Sequence, residues 1–64
     1  MSRVAINIKR IIAEKGITQK AVAKRAGFSN QQFSDMLNDR KVIRAEFLPR
    51  IAKALEVDIS EIFI

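Results

Sequence analysis

The sequence predicts an all-α fold in one domain spanning residues 1–64. Three observations predict it. Apolar residues recur with the 3.6-residue period of amphipathic helices in successive segments. Residues suited to helix ends punctuate those segments: Thr18, Ser29 and Asp58 at starts, Gly16 and Gly27 at stops. No run of alternating β-branched residues competes as a strand.

Five helical segments follow in order. In the first, residues 3–15, Val4, Ala5, Ile8, Ile11 and Ile12 form one apolar stripe, and Gly16 stands where a helix end needs positive φ. Thr18 is placed to accept a first-turn N–H and so to cap the second, residues 19–26, whose Ala21, Val22 and Ala26 allow close helix approach. Gly27 stops it, and only Phe28 and Ser29 precede the third. Ser29 and Gln32 have the S-x-x-Q spacing of a capping box, opening a helix that runs to about residue 38. Two short helices joined by a short glycine-containing turn are the outline of a helix-turn-helix. The fourth segment, residues 48–55, carries Pro49 in its first turn, where a missing N–H costs nothing, and turns Leu48, Ile51, Ala52 and Leu55 inward. The fifth is short, residues 59–63, with Asp58 as its cap and Glu61 three residues on.

Size limits what such a chain can do. A 64-residue domain buries only about 60% of the surface its unfolded chain exposes. The usual supports are disulfides, metals or a partner subunit. The sequence has no Cys and no His, which excludes the first and speaks against a zinc site. A helical core, an oligomer or both must supply the stability. With neither Cys nor His, scattered carboxylates and little room for a pocket, an enzyme is the weakest reading, and no cofactor is expected. Apolar runs are too short to span a bilayer and the N-terminus has no signal-peptide core, so a cytoplasmic protein away from membranes is expected.

The net charge of +5 is unevenly spread. Residues 1–44 hold ten Lys/Arg against three Asp/Glu, whereas residues 45–64 hold two against four. A basic face for a polyanion, with a separate face at the other end, fits this asymmetry. Basic charge kept for solubility fits it equally.

The third segment is more informative. At 100° per residue from Asn30, Ser34 lies near about 40°, Asn38 near about 80°, Gln31 near about 100° and Asp35 near about 140°. Phe33, Met36 and Leu37 lie together on the opposite side. An exposed face would ordinarily carry Lys and Glu. Asn and Gln instead present a donor and an acceptor together, matching adenine N6 and N7 in the major groove, from the helix end that reaches base edges. Taken alone, the same residues serve equally as first-turn caps on a solvated face.

The surrounding motifs decide between these readings. Gly16-Ile17-Thr18-Gln19, Val22-Ala23, Ala26-Gly27-Phe28-Ser29, Phe33-Ser34, Ile51-Ala52-Lys53-Ala54-Leu55 and Ile59-Ser60-Glu61-Ile62-Phe63 resemble, in kind and spacing, the phage-repressor and Cro-type helix-turn-helix of the XRE family. The resemblance covers residues 8–63. It implies a five-helix, lambda-repressor-like DNA-binding domain whose second and third helices form the motif. It implies a transcription regulator, expected to be a repressor, bound to double-stranded DNA as a homodimer. Base contacts would then fall to Asn30, Gln31, Ser34 and Asp35. Phosphate contacts would fall to Gln19, Asn38, Arg40 and Lys41, joined by Arg10, Lys20 and Arg44. The two-fold contact would involve Leu48, Ile62 and Ile64. A protein-interaction module is the rival, because antitoxins that bind a toxin share this fold.

Three positions depart from the family pattern. Glycine is common where Asp39 and Glu56 stand; Asp39 tolerates a left-handed conformation, and Glu56 is expected to bring either a strained φ or an altered helix end. A partly buried arginine–glutamate pair is common where Ile12 and Leu37 stand. Replacing such a pair by packed apolar residues is often neutral or stabilising, so these two are expected to meet in the core.

Overall fold

Four α-helices and two 3₁₀ turns make up the computed structural model, which describes residues 2–64. They are α1 (Arg3–Lys15), α2 (Gln19–Ala26), α3 (Asn30–Leu37) and α4 (Leu48–Leu55), with 3₁₀ turns at Ala45–Phe47 and Ile59–Phe63. The described residues contain no strand. The helices begin and end for local chemical reasons. Ser2 Oγ accepts from the Ala5 amide at 3.1 Å, and Thr18 Oγ1 from the Ala21 amide at 3.1 Å. The Ser29–Gln32 capping box closes in both directions, at 3.0 and 2.9 Å. Gly16 and Gly27 end α1 and α2 at φ 66° and 83°, a conformation glycine adopts without steric cost.

The expected fifth helix is instead the 3₁₀ turn Ile59–Phe63. Five residues close too few i→i−4 bonds to repay nucleation, so the segment takes the tighter i→i−3 closure, seen in the Glu61 amide donating to the Asp58 carbonyl at 2.9 Å. The Asp58 carboxylate caps this turn through the Ser60 amide at 2.9 Å. That backbone hydrogen bond holds its carboxyl below the ordinary Asp value. The small stabilisation it brings is therefore present above the usual Asp range and lost as pH falls through the lowered value. α3 closes at Leu37 with Asn38 as its cap, close to the expected end, and a turn not foreseen from the sequence forms at Ala45–Phe47 ahead of α4.

The core runs between all four helices. α2 packs on α3 and α4, and α1 packs on α3 and on the C-terminal turn. Ile8, Val22, Phe33, Leu37, Ile51, Leu55 and Ile62 are its fully buried large side chains. Leu37 lies in this cluster and Ile12 packs against it half-buried, so the two apolar replacements serve one core. Leu48 and Ile62 are also spent on it. Of the residues expected at a two-fold contact, Ile64 alone keeps free surface, because inward helical spacing commits the other two.

One polar side chain enters this core. Asn7, buried on α1, donates through Nδ2 to the carbonyls of Ile62 at 2.8 Å and Ile64 at 2.7 Å. It thereby ties the last residues to the first helix.

Asp39 and Glu56 both take positive φ, 60° and 58°, as their positions suggested. A left-handed L-residue costs about 1–2 kcal/mol, partly offset in glycine by its larger unfolded-state entropy of about 0.5–1 kcal/mol. Glu56→Gly, at the end of α4, is expected to raise stability by roughly 0.5–1 kcal/mol and the thermal midpoint by about 2–8 °C. A lower midpoint in a thermal melt would show that the Glu56 side chain itself stabilises the domain. Asn7→Ala leaves two carbonyls short of a donor and is expected to cost about 1–3 kcal/mol. Denaturant unfolding measures this, and a loss below about 0.5 kcal/mol would mean water replaces the amide without cost.

Candidate nucleic-acid interface

The candidate site is assembled from α2, the turn at Gly27, Phe28 and Ser29, and α3. Its geometry depends on how firmly that turn is held. Phe28 stacks on Phe33 of α3, with centroids 6.1 Å apart, and meets Phe47 edge-on at 5.0 Å. Arg50 of α4 closes the turn from outside. Its Nε donates to the Ala26 carbonyl at 2.9 Å and its Nη2 to the Gly27 carbonyl at 3.2 Å. The guanidinium carbon lies 4.3 Å from the Phe28 ring centroid and 5.3 Å from that of Phe47. One cation thus answers the carbonyl end of α2, where the helix dipole favours positive charge, and lies on the aromatic faces beside it. A Cβ on Gly27 would sit 2.9 Å from Arg50 Nη2, so a side chain there would displace the guanidinium.

Sequence reasoning missed Arg50. Between Pro49 and Ile51 it reads as one more surface cation, and nothing local joins it to carbonyls more than twenty residues away. The only hint was that the end of α2 lacks a side-chain cap.

With the turn fixed, α3 lies with Phe33, Met36 and Leu37 buried. Asn30 and Gln31 are exposed in its first turn, and Ser34 and Asp35 are half-buried behind them. These four are brought together on the outward face. Gln31 Nε2 donates to Asp35 Oδ1 at 2.9 Å. Arg40 approaches the same oxygen at 3.6 Å, and the amides of Arg40 and Lys41 donate to the Asp35 carbonyl at 2.8 and 3.2 Å. The loop after α3 therefore folds back onto the end of the polar face and carries Arg40 and Lys41 beside it.

Other expected contacts are placed differently. Asn38 uses its Nδ2 on the Ser34 carbonyl at 2.8 Å, and its oxygen accepts from Lys9 Nζ at 3.0 Å. It acts first as the end of α3. Lys9, not singled out from sequence, thus stands near this face. Gln19 opens α2 half-buried, and Lys20 follows it exposed. That helix end has first-turn amides beyond the Ala21 N–H satisfied by Thr18, a setting that favours anions. Arg10 is engaged along α1 by Glu14 at 2.8 Å. Arg44 is exposed in the run toward α4, 3.8 Å from Glu46. Elsewhere, no group of three or more His, Cys, Asp or Glu among the described residues could hold a metal ion, and no helix is long and apolar enough to cross a membrane.

Two short helices held across a glycine turn, the second with its polar face outward, define a helix-turn-helix protein. The chain belongs to the Cro/C1-type helix-turn-helix DNA-binding domain family, whose model matches residues 7–64. Among solved structures it is similar to the clp gene regulator ClgR from C. glutamicum, with a TM-score of 0.88 and 21% identity over 95% of this chain and 79% of that one. At that identity the likeness establishes the fold. No curated protein matches the chain in sequence.

Removing the Arg50 head should loosen the motif without emptying the core. Arg50→Ala is expected to cost about 1–3 kcal/mol, the range for buried or charge-assisted hydrogen bonds. Arg50→Lys should recover part of it, because one ammonium cannot reach both carbonyls in a fixed fork. Chemical unfolding of the two variants checks this, and equal stability of Arg50→Ala and the parent would remove the clamp from the account.

Proposed function

We propose that the protein is a sequence-specific transcription regulator that reads the major groove of double-stranded DNA with α3 and acts as a repressor. The observation that carries this reading is the split of α3. Its buried side anchors the helix through Phe33, Met36 and Leu37, while its outward side offers Asn30 and Gln31 at the N-terminal end. In recognition helices that end approaches base edges, and carboxamides pair bidentately with adenine. Gln19 and Lys20 at the start of α2, with Arg40 and Lys41 after α3, flank the reading face and serve the phosphates. ClgR, whose fold this chain shares, is a clp gene regulator, which agrees with a regulatory role here.

We also propose that two copies bind together on a palindromic site. The C-terminal turn exposes Ile59, Phe63 and Ile64, at 39%, 52% and 66%. An apolar surface of this kind suits contact with a second copy. The two α3 helices would then enter successive major grooves about 34 Å apart.

Selection of bound sites from random duplexes tests DNA binding, site symmetry and half-site spacing together. A palindrome with half-sites one turn apart is expected, and recovery of no preferred sequence would overturn the reading. With six to eight phosphates neutralised per dimer, the log–log dependence of affinity on salt is expected to have a slope of about −5 to −7. Gln31→Ala should cost about 1–3 kcal/mol and relax preference at one base pair, whereas Lys41→Ala should weaken all sequences alike. Phe63→Glu should leave a monomer in sedimentation. A parent that is itself monomeric, free and on DNA, would remove the dimer from the proposal.

A further inference from the structure

Asp35 stands on the reading face of α3, yet its contacts do not suit a group that reads bases. Its side chain is only 16% exposed. Oδ1 already accepts from Gln31 Nε2 at 2.9 Å, one turn earlier on the helix, with Arg40 at 3.6 Å. Its backbone carbonyl accepts the amides of Arg40 and Lys41. A bare carboxylate pushed toward phosphates would also meet like charge.

A carboxylate can only accept hydrogen bonds, so the pairing sets the sense of the Gln31 amide. The NH₂ group must face Asp35, because the reverse orientation would set oxygen against oxygen. One N–H is held, and the amide is left with its second N–H and its Oε1. Adenine N7 and N6 require that donor and acceptor side by side.

We infer that Asp35 is a specificity-determining positioning residue: it orients the Gln31 carboxamide so that this position selects an A·T pair, and it makes no base contact itself. This rests on the proposed reading of DNA by α3. The same residue also tethers, through its carbonyl, the loop that carries Arg40 and Lys41. The side chain that orients the reader and the backbone that anchors the flanking cations therefore belong to one position.

The test compares the parent, Gln31→Ala, Asp35→Asn and the double variant. Each is titrated, at one salt concentration, against the selected site and against duplexes changed at single base pairs. Asp35→Asn is nearly isosteric but lets the Gln31 amide take either sense. It is expected to bind random duplex at least as tightly as the parent, having lost one negative charge. It should lose roughly tenfold discrimination at the base pair where Gln31→Ala loses it. The double variant should be no less selective there than the worse single variant, since the two residues act as a unit. If thermal melting shows that Asp35→Asn does not fold, Asp35→Ala takes its place, alanine being the strongest helix former.

Three results overturn the inference: relaxation at a different base pair, which makes Asp35 a direct reader; full discrimination in the Asp35 variant; or losses that add in the double variant. A parent that selects no sequence removes the proposed DNA reading, and the inference with it. A selective parent with an indifferent Asp35 removes the inference alone.

Discussion

The turn between α2 and α3 is closed from outside by the Arg50 guanidinium, which bonds the carbonyls of Ala26 and Gly27. Helix-turn-helix geometry needs two helices held across a turn too short to have a core of its own. Here α4 reaches across, bonds the last carbonyls of α2 and covers the rings of Phe28 and Phe47. Carbonyls at a helix end and aromatic faces are both electron-rich, so one delocalised cation satisfies both. The turn opens with glycine because Gly27 takes φ 83°, in the left-handed region.

The rest of the molecule has the same economy. A 64-residue chain without cysteine must draw its stability from helices that bury one face each. It places most of its large aliphatic side chains in one cluster. The C-terminus, which forms only a 3₁₀ turn, is held by Ile62 in that cluster and by the Asn7 amide on two of its carbonyls. Within the described residues no buried side-chain nitrogen or oxygen lacks a partner. Where the family commonly has an ion pair, Ile12 and Leu37 supply apolar packing and avoid the cost of desolvating two charges.

The proposed reading face lies where this economy stops. On the outward side of α3, Asn30 and Gln31 are exposed and stand outside the core cluster, which leaves them free to serve the proposed recognition. Asn30 and Gln31 there are amides in a place where lysine or glutamate would fold as well. Gln31, Asp35 and Arg40 form a short network that runs from the first turn of α3 into the following loop.

Much of this was legible in the sequence, because it is local. Periodicity set the bounds of α1, α2 and α4, and the caps at Thr18, Ser29, Gly16 and Gly27 need only neighbours three or four residues away. The polar face of α3 follows from spacing alone, and the left-handed turns at Asp39 and Glu56 from comparison with the family pattern. What the sequence could not show depends on residues far apart along the chain. Arg50 and Asn7 look like ordinary surface residues until folding brings carbonyls 24 and 55 residues away within reach. Leu48 and Ile62 could have faced a second copy or the chain's own interior, and only packing assigned them inward. The fifth segment carried helical spacing, but hydrogen-bond closure over five residues made it a 3₁₀ turn. Local preference is written residue by residue, whereas the partner of a long side chain is settled only when every helix has found its place.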